Sequence, residues 1–507
     1  MASVRVNIIA NFLGKGWGAL ISIAFVPVYI RLMGIESYGL VGLFTTLLAI
    51  SSILDLGLST AFARELARYS ADSDDGSKCR TLAYTFQAIY WALGLVLLMI
   101  LVLVGIFFGS DWVTANHLDD KTINEAIVLM GIAVALQFPF SLYSGGMLGL
   151  QRQVPFNVFL VVVSTARVVG AWLVLLLVAP TIQVFLLWQL LISVVQSVVS
   201  GIVLWQFLPP TGKVIRLNFA AVLRVWRFAA GMGLINVFAI VLTQIDKLLL
   251  SALLPLKEFG YYSLASSIAF GLLLLSAPFY TALFPHFAKL IQEGNQVTLS
   301  ALYHKSSQVL AVVAIPVCIT VAVFSKEILL VWTQDDEIAT RAHMVVSLLV
   351  AGTAASTLMY IPYALQIAHG WTRLSITQNL VSILILVPLI FFTAKKYGTE
   401  GAALIWLLLN LGYIFVSVPV MHRKILRGEA WRWYSQAMLL PLIGTVVPII
   451  LFYVFIFDKG GYVPLFVQIP GILVLSWISA GLVTPSTRLM FTTYISTHWN
   501  TKREAGA

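Results

Sequence analysis

Five charged residues, Lys15, Asp55, Arg167, Asp246 and Lys247, stand inside long stretches that otherwise carry almost no charge. A charged side chain at the centre of a bilayer costs about 2.5–3.5 kcal/mol even on the mildest scale, so each is expected to face a cavity or a partner. Arg167 invites the most specific chemistry. It lies well inside a predicted helix that begins near residue 156, roughly 17 Å along it at 1.5 Å per residue. A planar guanidinium at that depth suits paired hydrogen bonds to a phosphate, or bonds to carbonyls of a neighbouring helix.

Lys15 and Asp55 sit on the first two predicted helices at matching depth, about 10–12 Å from one face. That level allows a salt bridge; it equally allows Lys15 to serve as a second cation for an anionic ligand. Asp246 and Lys247 are neighbours, and neighbours on a helix point about 100° apart, so the two are expected to face different surroundings. Asp246 is a candidate for a salt bridge or for a protonatable carboxyl. Lys247 is a candidate ligand contact or a side chain that snorkels to the interface. Amides supply a softer signal: Asn7, Asn11, Gln137, Asn157, Gln189, Gln196, Asn236, Gln244, Gln366, Asn379 and Asn410 all lie in apolar surroundings. Most are expected to bond between helices. Trp17 and Trp172 share helices with Lys15 and Arg167 and offer flat aromatic faces.

The elements that must position these groups follow from composition. Of 507 residues 60% are hydrophobic and 10% charged, where a soluble domain carries about 25% charge. Fourteen apolar runs are long enough to cross a ~30 Å hydrocarbon core. The chain is therefore expected to be an all-α polytopic membrane protein. Its connecting segments are short, which leaves no room for a soluble catalytic domain. Most of the 31 basic residues fall in alternate connections that share a side with the N-terminus, so both termini are expected in the cytoplasm. The net charge of +10 thus reports topology, and nucleic-acid binding is not expected. Enzyme signatures fail in detail: GKG at 14–16 lacks the earlier glycine of a phosphate loop, since Ile9 stands there, and no metal-spaced His/Cys group occurs. No cofactor, metal or catalytic residue is expected. Pro27, Pro139, Pro278, Pro316 and Pro362 interrupt apolar helices and are candidate bends or hinges.

The chain also repeats itself. LMGIESYGLVGLF (32–44) matches LLPLKEFGYYSLA (253–265), which aligns Gly39 with Gly260 at an offset of 221. The same offset aligns Gly149 and Arg152 with Gly370 and Arg373, and VFLLWQL (184–190) with IWLLLNL (405–411). It makes Asn236 the repeat mate of Lys15. Two six-helix lobes in parallel orientation are expected, 1–207 and 228–428. A cytoplasmic linker with an interfacial helix occupies 208–227, an added helix pair 429–484 and a cytoplasmic tail 485–507.

FVPVYIRLMGIESYGLVGLF and IDKLLLSALLPLKEFGYYSLA resemble the patterns of the Wzx-type flippases, the polysaccharide transport family of the multidrug/oligosaccharidyl-lipid/polysaccharide exporter superfamily. The resemblance implies two lobes around a cavity that alternates between faces of a bacterial inner membrane. It implies as substrate an oligosaccharide on undecaprenyl pyrophosphate, translocated from the cytoplasmic to the periplasmic leaflet. Coupling to an ion gradient or membrane potential would fall to Asp55 or Asp246. Arg167, Lys15, Lys247, Asn236, Trp17 and Trp172 are then the candidate contacts to pyrophosphate and sugar. Membrane lipids, and a polysaccharide polymerase with its chain-length regulator, are the implied partners. A lipid II flippase, a cation-coupled drug exporter of the same superfamily, and a membrane glycan polymerase or ligase are the alternatives.

Overall fold

The computed structural model describes residues 4–71, 76–457 and 465–490. In chain order the α-helices are α1 (Val4–Ser51), α2 (Leu58–Ala71), α3 (Gly76–Trp112), α4 (Asp120–Gln137), α5 (Phe140–Gly149), α6 (Gln153–Leu177), α7 (Ile182–Phe207), α8 (Phe219–Leu253), α9 (Leu256–Gly271), α10 (Ala277–Gln292), α11 (Gln296–Val323), α12 (Ser325–Thr333), α13 (Asp336–Leu358), α14 (Tyr360–Ala368), α15 (Thr372–Gly412), α16 (Val418–Lys424), α17 (Ala430–Trp433), α18 (Leu440–Phe452) and α19 (Leu465–Val483). Among the described residues eleven stretches are long and apolar enough to cross a membrane, and Val467–Val483 is a shorter apolar helix. Two of the eleven hold two crossings each, because α1 and α15 turn at Gly34 (φ 82°) and Gly398 (φ 59°). An L-residue is strained at such positive φ, and glycine is not. Fourteen crossings result, as expected from the apolar runs.

The lipid-facing surface explains the composition. Leu95, Met99, Leu103 and Phe107 recur every fourth residue along α3 and are more than half exposed. Spacing of four keeps them on one side of the helix, and hydrocarbon takes the place that water has around a soluble fold.

Several predicted spans are broken rather than continuous. The helix expected over 39–62 passes into a tight 3-10 turn at Ser52–Asp55, followed by Leu56 (φ 45°) and Gly57 (φ 76°). The eighth span does the same at Leu272–Leu275. Pro139 stands between α4 and α5, Pro278 in the first turn of α10 and Pro362 in the first turn of α14. These are positions where a missing N–H costs no helical bond. Pro27 and Pro316 lie inside continuous helices. Residues expected to form a separate interfacial helix before the seventh span are instead the start of α8, which runs unbroken from Phe219 to Leu253.

Two compact units emerge from the contacts: Met1–Leu264 with Gln378–Thr399, and Ala265–Thr377 with Glu400–Ala507. In the first, α1 packs along α6, with Gly14 against Asn157 and Gly18 against Ser164, the close-packing role of the G-x-x-x-G spacing. Tyr29 reaches across the same seam and donates to the Val168 carbonyl at 2.8 Å. Buried Glu36, just past the turn in α1, accepts from the backbone N–H of Asn116 (2.6 Å) and His117 (2.9 Å). Gly39 packs on the backbone of Leu256, and its repeat mate Gly260 packs on the backbone of Ile35. Those two contacts map onto each other under the offset of 221.

The second unit is cored by Phe287, Tyr303, Leu310, Leu365, Val418 and Trp433. At its edge Glu429 accepts from His304 Nε2 (2.8 Å), Ser300 Oγ (3.1 Å) and Arg432 Nη1 (3.4 Å). Partial burial pushes the Glu429 carboxyl up, but the Ser300 hydroxyl, His304 and Arg432 outweigh it and hold the carboxyl below its usual range.

The structural register of the repeat differs from the offset of 221 at the ends of α5 and α14. The turn ending α5 places Gln151 at φ 56° with Arg152 N–H bonded to the Met147 carbonyl, and the turn ending α14 places Gly370 at φ 71° with Trp371 N–H bonded to the Gln366 carbonyl. Gln151 therefore corresponds to Gly370, and Arg152 to Trp371, two residues short of the offset read from the sequence. The α14 helix is one residue shorter than α5, which accounts for part of the slip.

Candidate functional site

The site is built where α4, α6 and α7 pack together. Arg167, on α6, donates through Nη1 to Gln189 Oε1 at 3.0 Å and through Nη2 to Gln196 Oε1 at 2.7 Å and Gln137 Oε1 at 3.2 Å. Ser193 donates to the same Gln137 oxygen at 2.9 Å. Gln189, Ser193 and Gln196 follow one another at spacings of four and three on α7, so they share one face. A guanidinium has five N–H donors, and three are engaged here by neutral amides. Among the described residues no carboxylate joins them. The charge of Arg167 is thus held in place without being neutralised.

The helix that carries Arg167 packs against α1. Trp17 Nε1 donates to Thr165 Oγ1 at 2.9 Å, two residues before Arg167, and the indole is 45% exposed. Trp172 meets Phe25 edge-on with ring centroids 5.9 Å apart. The helices carrying Lys15 and Arg167 are therefore packed neighbours, although the Lys15 side chain itself lies outside the described residues. Asn236 is exposed on α8.

Asp55, at the end of the 3-10 turn, is buried. Its carboxylate accepts from Ser59 Oγ (2.8 Å), Ser141 Oγ (3.3 Å) and, through a short bond, Tyr90 OH. Among the described residues these hydroxyls are its partners and no basic group is.

Asp246 and Lys247 depart from expectation. Instead of facing separate surroundings they pair with each other, Nζ lying 3.4 Å from Oδ1. The lysine stem folds back along α8, so that Nζ also donates to the Thr243 carbonyl at 2.9 Å. Tyr262 OH donates to Asp246 Oδ2 at 2.5 Å. A long flexible stem can reach an adjacent carboxylate despite the angle between the two Cα–Cβ bonds.

Sequence reading singled out the charges but not what holds them. Gln137, Gln189 and Gln196 stood among many amides, and Ser59, Ser141, Tyr90 and Tyr262 carried no signal. The shared face of Gln189 and Gln196 was the one available clue. Elsewhere, α18 and α19 enclose an apolar groove of about 800 Å³ lined by Leu451, Phe452, Phe455, Ile472, Leu475 and Leu482 among others. Among the described residues no group of three or more His, Cys, Asp or Glu gathers as metal ligands.

Comparison with known proteins follows the same lines. Residues 232–392 match the MatE family. A Shigella flexneri protein provisionally named an O-antigen transporter is 20% identical over 404 residues, which cover 80% of this chain and 94% of the relative. Among solved structures, the lipid II flippase MurJ in an inward closed conformation superposes with a TM-score of 0.68 at 11% identity, covering 94% of this chain and 98% of that one. An inward-facing multidrug resistance MATE transporter of the MOP superfamily gives 0.65 at 14% identity, covering 80% and 94%. Likeness at these identities establishes a fold shared with those two proteins. The model of the family described as polysaccharide biosynthesis protein matches residues 4–291, more than half of the chain, and the protein belongs to that family.

Proposed function

We propose that the protein is a flippase that carries an undecaprenyl-pyrophosphate-linked oligosaccharide, an O-antigen or other polysaccharide repeat unit, from the cytoplasmic to the periplasmic leaflet of a bacterial inner membrane. The observation that carries this reading is Arg167: a cation deep in a membrane helix, fixed by three neutral amides and left with its charge available. Dragging a pyrophosphate and a chain of hydroxyls through hydrocarbon is prohibitive unless a cationic, polar path replaces their water. Arg167 is suited to the pyrophosphate and the exposed face of Trp17 to a sugar. The groove of α18 and α19 is suited to a stretch of prenyl chain, since its lining is apolar.

Alternating access by rocking of residues 1–207 against 228–428 completes the reading, with both termini cytoplasmic and with energy from an ion gradient or the membrane potential. A lipid II flippase is the second reading, favoured by a likeness that extends over 94% of this chain. Replacement of Arg167 by Ala and by Lys in a flippase-null strain, with protein level controlled, tests the proposal. Loss of surface polysaccharide in Arg167→Ala and partial return in Arg167→Lys are expected; full surface polysaccharide in Arg167→Ala would overturn it. Complementation of a lipid II flippase deletion instead would establish the second reading.

A further inference from the structure

The second unit carries a row of aromatic rings at the start of two packed helices. Tyr280 and Phe284 stand four residues apart on α10, and Tyr360 and Tyr363 stand three apart on α14, so each pair shares a helix face. α10 and α14 pack against each other, and Phe287, Ile361 and Leu365 belong to the buried core beside the row. The Tyr280 ring lies near-parallel to that of Phe284, with centroids 5.9 Å apart at 17°, and to that of Tyr363, at 6.0 Å and 25°. The Tyr363 hydroxyl has those of Tyr280 and Tyr360 as its electrostatic neighbours, so three phenol oxygens gather here. All four side chains are partly exposed.

These hydroxyls differ from the other tyrosines of the bundle. Tyr29, Tyr90, Tyr262 and Tyr434 each donate to a carbonyl or a carboxylate of the protein. Among the described residues no protein group bonds the hydroxyl of Tyr280, Tyr360 or Tyr363. The surroundings are also neutral, since no residue from 272 to 285 or from 360 to 368 is charged. In the first unit the helices in the equivalent place, α2 and α5, turn Ser59 and Ser141 onto Asp55. The second unit has tyrosines and no acid at this place.

We propose that Tyr280, Tyr360 and Tyr363, with Phe284, form a binding subsite for an uncharged pyranose saccharide, distinct in chemistry from the cationic site at Arg167. The proposal rests on the reading of the protein as a carrier of a lipid-linked oligosaccharide and gives part of the saccharide its own place. A pyranose presents apolar C–H groups on its faces and hydroxyls around its rim. Aromatic rings suit the first, and phenol hydroxyls, which both donate and accept, suit the second. An anionic head would meet no cation here. A purely apolar ligand would take water from three hydroxyls without replacing its bonds, which costs affinity. Pro278 and Pro362 lie in the first turns of the two helices and fix the backbone there. The rings are therefore held before a ligand arrives, and a tyrosine loses little freedom on binding.

The test uses the full chain in nanodiscs and maltopentaose, a neutral glucose pentamer, as probe, followed by saturation-transfer difference NMR. Wild type is expected to transfer saturation to the ring C–H protons of the sugar. The triple variant Tyr280→Phe, Tyr360→Phe, Tyr363→Phe keeps the rings and removes the hydroxyls. It is expected to bind maltopentaose about tenfold more weakly, with an unchanged unfolding midpoint, because no bond within the protein is lost. Absence of saturation transfer in wild type overturns the proposal. So does equal binding by the triple variant, which would place the sugar elsewhere, on Trp17 for example. Binding of tetraphenylphosphonium in place of the sugar at these residues would assign the row to apolar cations and also overturns it. Undecaprenyl pyrophosphate as a second probe separates this proposal from the reading of Arg167. Arg167→Ala is expected to lose that lipid and keep the sugar, and the triple variant to do the reverse. Retained lipid binding in Arg167→Ala means that the anion reading has failed, whereas an unaltered sugar signal in the triple variant rejects the subsite alone.

Discussion

Gly42 and Ser263 hold the same place in the two repeats, and they lie against each other: a β-carbon on Gly42 would stand 2.1 Å from Ser263 Oγ and 2.6 Å from Ser263 Cβ. Around this contact Gly39 meets Leu256 and Gly260 meets Ile35, the same contact seen from either side. The seam between α1 and α9 is thus built from small residues at equivalent positions, which lets two backbones approach closely.

Gly42→Ala is expected to lower stability by about 1–3 kcal/mol, the usual cost of overpacking. Ser263→Gly in the same chain is expected to restore most of it, since it removes the atoms in the way. Thermal unfolding of the purified single and double variants measures this. Equal melting of Gly42→Ala and wild type would mean the seam is looser than described.

At Gly39 and Gly260 the obstacle is a carbonyl oxygen, Leu256 O at 2.7 Å and Ile35 O at 2.4 Å from the built β-carbon. No side-chain change can relieve that. Alanine at either glycine is therefore expected to cost about as much as at the other, again about 1–3 kcal/mol, and a clear difference between them would argue against the equivalence of the two contacts.

Lys247→Ala leaves Asp246 buried without its cation, and breaking one partner of a buried pair costs about 3–5 kcal/mol. Tyr262→Phe removes one hydroxyl donor to the same carboxylate and is expected to cost about 1.5–3 kcal/mol. Removing both charges, as in Asp246→Leu with Lys247→Met, is expected to recover much of the loss. Chemical or thermal unfolding of the three variants ranks them.

Glu36→Gln replaces a carboxylate that accepts from two backbone N–H groups by an amide with one carbonyl oxygen. A loss of about 1.5–3 kcal/mol is expected, the range for bonds to a charged acceptor. The backbone at Asn116 and His117 should then exchange its amide hydrogens faster, which hydrogen–deuterium exchange reads directly.

The Glu429 carboxyl is held below its ordinary value of 4.5. A depressed carboxyl contributes stability that is fully present above its unfolded value and is lost as pH falls through its folded value. Acidification below about pH 4.5 is therefore expected to loosen the tie between Glu429 and the Ser300–His304 end of α11, and Glu429→Gln should show a shallower loss of melting temperature over the same range.

Apolar length and the positions of the charged residues were legible in the sequence, because each depends on residues near one another in the chain. Fourteen crossings follow from runs of side chains that hydrocarbon solvates, and Gly39 and Gly260 stand out because no larger residue fits where two helices touch. Partner choice was decided by the tertiary structure. Arg167 takes its three amides from α4 and α7, Asp55 its hydroxyls from α2, α3 and α5, and Asp246 turned to its own neighbour. Whether a buried charge is neutralised, solvated by dipoles or left available depends on which distant helices face it. That arrangement comes from packing many similar apolar surfaces against one another, and no local pattern specifies it.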